Sequence, residues 1–136
     1  MSETLTVSTF VAAPPETLWA SWTTPEHICR WNSASPDWHT PRATNDLRVG
    51  GTFCNRMEAR DGSMGFDFEG VWTVVEPYTR LEADFGDRHL VVVFVAEEGG
   101  TRVTETFDPD DEMPHEMQVA GWQAILENFR KYTETL

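Results

Sequence analysis

Residues 115–136 read HEMQVAGWQAILENFRKYTETL, and within them Trp122, Ile125, Phe129, Tyr132 and Leu136 recur at alternating spacings of three and four. That is the period of one helical face, and Val119 and Leu126 widen the stripe. No proline interrupts the run. A helix of this length spans about 30 Å at 1.5 Å per residue, enough to cross a whole sheet. Such a stripe needs a broad apolar surface to lie on, and the rest of the chain must supply it.

Working back from the helix, the chain reads as strands. Leu5, Val7, Thr9 and Val11 alternate with Thr6, Ser8, Phe10 and Ala12, the period of a first strand. Pro14-Pro15 ends it, and Pro15 suits a first helical turn, where its missing N–H is not needed. Leu18, Trp19 and Trp22 then share one face of a short helix. A second short helix starts at Thr24-Pro25-Glu26, with Thr24 as cap and with Ile28 and Trp31 on the buried side. Residues 32–45 are rich in Ser, Pro, Asp and Asn and read as a long loop carrying Trp38 and His39, a setting suited to binding.

From Leu47 the pattern turns to strands, with Gly50-Gly51 as a bulge or sharp bend in the first of them. Asp61-Gly62 closes a hairpin between 53–59 and 66–75. A turn at Pro77, then 81–85, 89–97, Gly99-Gly100 and 101–107 complete the series. The acidic run 108–114 lacks the glycine and terminal ligand of a calcium loop and reads as a solvated linker. The expectation is one α+β domain over residues 1–136. In this helix-grip arrangement a curved antiparallel sheet of about six or seven strands wraps the long C-terminal helix, and two short helices follow the first strand.

Composition narrows the function. At 136 residues the chain can bury a sizeable core, and 6 Trp with 8 Phe are too many for a disordered one. Lys plus Arg number 10 against 23 Asp plus Glu, for a formal charge of −13, and no basic run exists. Nucleic acid and anionic membrane surfaces are therefore excluded as partners. Cys29 and Cys54 lie in no CxxC or Cys/His pattern, so two unpaired thiols are expected, with neither metal nor cofactor. Residues 1–10 are polar and alternating, without a signal peptide, and no apolar stretch is long enough to span a membrane. A cytoplasmic protein is expected.

Alternation also picks the walls of a cavity. Phe53, Asn55 and Met57 share one face of their strand, opposite Cys54, Arg56 and Glu58. Phe66, Phe68, Gly70 and Trp72 likewise alternate with Asp67, Glu69, Val71 and Thr73. The aromatic faces should look toward the helix. Asn55, an amide on an apolar face, either orients a ligand or satisfies a neighbouring backbone group. Trp72 and Trp122 fit either a pocket or ordinary core. Gly121 sits beside Trp122 in mid-helix, where glycine costs about 1 kcal/mol relative to alanine, so a strand or a ligand should approach closely there. Gln118, one turn earlier, aims a second polar group inward. An apolar pocket with a few placed polar groups is the form of a small-molecule site.

For catalysis the sequence offers little. None of His27, His39, His89 and His115 falls in HExxH, and no GxSxG elbow or Cys/His pair is present. His39, beside Trp38, is the best placed of them, at the expected cavity mouth. Asp67, Glu69, Glu82 and Asp84 fall on outer faces. The candidate ligand-binding residues are thus Trp38, His39, Phe53, Asn55, Met57, Phe68, Trp72, Gln118, Gly121 and Trp122, with no catalytic residue assigned.

Ala13-Pro14-Pro15-Glu16 with Trp19, then Thr24-Pro25-Glu26-His27 and Trp31, resembles the opening of the SRPBCC (START-like) superfamily. Asp46-Leu47-Arg48-Val49-Gly50-Gly51, Asp61-Gly62, Phe68-Glu69-Gly70-Val71, Glu76-Pro77 and Gly121-Trp122 resemble the branch related to the activator of Hsp90 ATPase. The resemblance implies a cavity between sheet and helix, used across the superfamily for lipids, polyketides and other apolar molecules. It implies no single activity. Binding of a small apolar or aromatic molecule is the leading expectation. A cyclase- or hydrolase-like enzyme on the same cavity comes second, and an Hsp90 co-chaperone-like interaction module using the acidic surface third. An Hsp90-type chaperone ranks below a small ligand as partner, because the larger co-chaperones carry a further Hsp90-binding domain. A homodimer is compatible with the sequence.

Overall fold

The computed structural model describes residues 3–136, so residues 1 and 2 of the polar opening lie outside the described part. β1 (Leu5–Val11) is followed by two short helices, α1 (Pro15–Thr23) and α2 (Pro25–Trp31). Six strands come next: β2 (Trp38–Asn45), β3 (Thr52–Ala59), β4 (Gly65–Glu76), β5 (Arg80–Phe85), β6 (Arg88–Glu97) and β7 (Gly100–Phe107). The long helix α3 (His115–Thr133) completes the order.

The strands form one seven-stranded sheet in the order β1-β7-β6-β5-β4-β3-β2, antiparallel throughout. From β2 to β7 each strand pairs with the next through a short connection. Gly62 (φ +79°) and Gly99 (φ +83°) supply left-handed turn positions that other residues adopt at a cost. Only β1 and β2 are far apart, at opposite edges, and α1 and α2 make that crossing. The curled sheet is a half-barrel, with the long helix α3 packed on β1.

Two stretches differ from the sequence reading. Residues 38–45, expected as loop, are strand β2, paired with β3 through Ala43↔Asn55 and Asn45↔Phe53. Pro41 obscured this, since proline cannot donate to a ladder. The register shifts between His39 and Arg42, around Pro41, and β2 is an edge strand, where proline is tolerated. Conversely, Leu47 to Gly51 is not a strand with a bulge but the connection between β2 and β3, with Gly50 at φ +87°.

Smaller departures concern the helix ends. Thr24 stands at the N-cap of α2, but its side chain makes no capping bond. Leu136 lies beyond α3 and is exposed, so the apolar stripe closes at Tyr132. The remaining stripe packs as its period requires, with Leu126 and Phe129 fully buried. Phe129 meets Trp22 and Trp31 at ring-centroid distances of 4.8 and 5.0 Å. Tyr132 shares a 2.5 Å hydrogen bond with His27 Nδ1, and Thr133 shares one of 2.8 Å with Ser21, tying α3 to α2 and α1. Cys29 and Cys54 are free thiols whose pKa values burial pushes up. No helix among the described residues is long and apolar enough to cross a membrane.

Candidate ligand-binding cavity

Between the inner faces of β2–β4 and α3 lies a cavity of about 510 Å³, within the range of small-molecule sites. Phe53, Asn55 and Met57 from β3, Phe68 and Trp72 from β4, and Gln118, Gly121 and Trp122 from α3 line it, as alternation and helical spacing suggest. Trp38, expected on a loop, lines it from β2. His39 does not. One residue on from Trp38, it falls on the other face of β2, with Nε2 4.0 Å from Glu58 Oε1.

The walls are a connected set of rings. Phe53 contacts Trp72 and Phe68 at 4.8 and 5.6 Å, and Phe68 contacts Phe85 at 5.3 Å. Trp122 from α3 lies edge-on to Phe68 at 6.2 Å and stacks flat on Phe107 of β7 at 3.8 Å. Gly70 makes room for this frame, because a Cβ there would come within 2.8 Å of the Phe53 ring and 2.6 Å of the Asp84 carbonyl. The Trp72 indole N–H donates to Asn45 Oδ1 at 2.8 Å, and Asn45 Nδ2 donates to the Thr23 carbonyl at 2.8 Å. One asparagine thereby fixes β2, β4 and the end of α1 around the cavity wall.

Gly121 behaves differently from the expectation of a close strand. A Cβ built there meets nothing within 4 Å, so the glycine borders open space. Gln118 is buried and faces inward, but its amide is spent on the protein. Its Oε1 accepts from the Asp110 N–H at 2.7 Å, and its Nε2 donates to the carbonyls of Asp110 and Met113, each at 2.8 Å. Gln118 therefore pins the acidic loop against α3. The run 108–114 also contributes to the cavity rim through Asp110 and Met113, while residues 111–114 remain exposed as expected of a solvated linker. The Asp108 carbonyl also accepts from Arg88 Nε at 3.0 Å. Phe66, Met113 and Met117 line the cavity yet are 49%, 44% and 57% exposed, which marks its mouth.

Polar groups inside are few. Among the described residues Asn55 Oδ1 is buried with no hydrogen-bond partner, so the amide does not serve a neighbouring backbone group through that atom. Asn32 Nδ2, also on the wall, is likewise unpartnered. The residue that sequence reasoning missed is Glu105 of β7, which lines the cavity at only 5% exposure. Burial pushes its carboxyl up to about 8. The signal was present: Thr101, Val103, Glu105 and Phe107 share the inward face of β7, and an acid between Val103 and Phe107 breaks an apolar row. The four carboxylates weighed from sequence lie on the outer face. Glu82 and Asp84 there hold His89 at 2.8 and 2.6 Å, and these bonds raise its pKa.

A curled antiparallel sheet gripping a C-terminal helix over an apolar cavity defines the helix-grip, START-like class. Residues 12–134 match the family described as activator of Hsp90 ATPase homolog 1-like protein, and the chain belongs to that family. Among solved structures it is similar to an AHSA1-like protein from Aeromonas hydrophila, at 46% identity and a TM-score of 0.92 over 98% of this chain and 93% of that one. A protein from Cytophaga hutchinsonii is also 46% identical, with a TM-score of 0.83 over 96% of this chain and 91% of its own. A Nitrosomonas europaea protein at 21% identity, with a TM-score of 0.85 over 97% and 94% of the two chains, shares the fold. No curated protein matches the chain.

Proposed function

We propose that this protein binds a small apolar or aromatic molecule in the cavity between the sheet and α3. The observation that carries the reading is the void itself, about 510 Å³ framed by aromatic rings, where a packed core would place side chains. Rings facing a void forgo dispersion contacts that a flat apolar guest would supply. Asn55 Oδ1, unpartnered on the same wall, offers such a guest one acceptor that fixes its orientation.

Of the 6 Trp, all but Trp19 line the cavity, so binding of 2-ethylnaphthalene should perturb tryptophan emission saturably. At a hundredfold excess over its dissociation constant it should stabilise the fold by about 2.7 kcal/mol. Gly121→Leu, which places a side chain in the open space beside α3, should abolish both effects while circular dichroism stays unchanged. An unaltered thermal transition at saturating probe would rule the reading out.

A further inference from the structure

Glu105 sits where an apolar residue would be the ordinary choice. Its direct neighbours across the sheet are Val7 of β1 and Val92 of β6, both buried. One step along the same face, Phe107 lies stacked under Trp122. A carboxyl taken out of water among such groups must either find a partner or give up its charge. Burial alone accounts for its raised pKa, with no hydrogen bond or neighbouring charge contributing among the described residues. At neutral pH it is therefore mainly the protonated acid, with an O–H to donate and no protein acceptor.

The charged groups around the cavity are committed elsewhere. Arg88 of β6 lies 4.6 Å over the Phe85 ring and donates to the Asp108 carbonyl. Asp110 in the rim loop accepts from the Glu112 N–H. On α3, Glu127 is bound by Arg130 and Gln123. A buried acid without a partner lowers stability, and a strongly perturbed group in a cleft is a mark of a functional site.

We propose that Glu105 is the specificity-determining donor of the cavity, selecting guests that present a carbonyl-type oxygen to its carboxyl O–H over hydrocarbons of the same shape. The inference rests on the reading of the cavity as a binding site and names the class of guest it takes. A neutral acid and a neutral oxygen pair without creating charge among apolar walls. An ammonium guest would need Glu105 ionised there, at the desolvation cost of two charges.

The test is calorimetric titration of wild type, Glu105→Gln and Glu105→Leu with three matched probes: 2-acetonaphthone, 2-ethylnaphthalene and 2-naphthylmethylammonium. At pH 6.5 wild type should bind the ketone about tenfold more tightly than the hydrocarbon, the yield of one well-made hydrogen bond. At pH 9.5 the advantage should vanish, because the ionised carboxylate has no proton to donate. Glu105→Gln, whose amide still donates, should keep the advantage at both pH values. Glu105→Leu should lose it at both and bind the hydrocarbon at least as well as wild type. If the leucine variant does not fold, the contrast between a pH-dependent wild type and a pH-independent glutamine variant decides. Equal binding of ketone and hydrocarbon by wild type, survival of the preference in Glu105→Leu, or a preference for the ammonium probe would overturn the proposal while leaving the cavity reading intact. If no probe binds any form, both fall together.

Discussion

The two ends of the concave face obey the same alternation yet end in opposite states. Toward α1, the inner residues of β5–β7 and the helices close into a solid core, with Leu18, Leu81, Val92, Val103, Leu126 and Phe129 fully buried. Toward β2–β4 the inner residues are as apolar, but Met57 and Phe68 remain only half-buried and rim a void. Among the described residues, three buried side-chain atoms lack a hydrogen-bond partner. Two of them, Asn55 Oδ1 and Asn32 Nδ2, belong to residues lining the hollow end, as does the buried Glu105 carboxyl. The third, Thr73 Oγ1, belongs to a residue that does not line it. One region is packed and the other encloses a void of about 510 Å³.

Truncations should separate the two ends most strongly. Phe129→Ala, which empties a site between Trp22 and Trp31, should cost about 3–5 kcal/mol in denaturant unfolding. Met57→Ala merely enlarges a space that already exists and should cost less than about 1 kcal/mol. Comparable losses at both positions would erase the distinction between packed and hollow ends.

The next effect is a slope with pH. Glu105 has an ordinary value of 4.5 and a folded value of about 8. Between these the folded state keeps a proton that the unfolded chain releases, so stability is greatest below the window and falls as pH rises through it. The slope approaches about 1.4 kcal/mol per pH unit, the value for release of one proton. His89, raised by Glu82 and Asp84, adds loss in the same direction, but equally in wild type and in Glu105→Gln. The difference between their unfolding free energies from pH 5 to 8 therefore isolates Glu105. Parallel profiles would show that its carboxyl is not held neutral.

Smallest is the change at Gly121. Replacing a mid-helix glycine that borders open space with leucine should stabilise the unliganded fold by about 1 kcal/mol through helix propensity alone. The same variant should lose probe binding. A rise in stability with intact binding would place the guest away from α3.

Much of this division was legible in the sequence. Period-two alternation places Phe53, Asn55, Met57, Phe68 and Trp72 on one wall, and helical spacing sets Gln118, Gly121 and Trp122 opposite. His39 was misplaced because Pro41 disguised an edge strand as a loop, and alternation on a strand puts neighbours Trp38 and His39 on opposite faces. The role of Gln118 depended on where the chain after β7 travels, which no local pattern encodes. Glu105 was overlooked for a different reason. The aromatic runs of β3 and β4 mark a cavity wall strongly, whereas in β7 a single acid between Val103 and Phe107 is the whole signal, at the period of a strand.

The central claim, that the hollow end is a binding site, is tested most directly through the methionine methyl groups. Met57, Met113 and Met117 line the cavity, whereas Met64 is 64% exposed and lies outside it. In a ¹H–¹³C methyl spectrum titrated with 2-ethylnaphthalene, the three lining methyls should shift together and saturate at one stoichiometry while Met64 stays fixed. Shifts at Met64 matching those of Met57, or no saturable shift at Met57, would contradict the account.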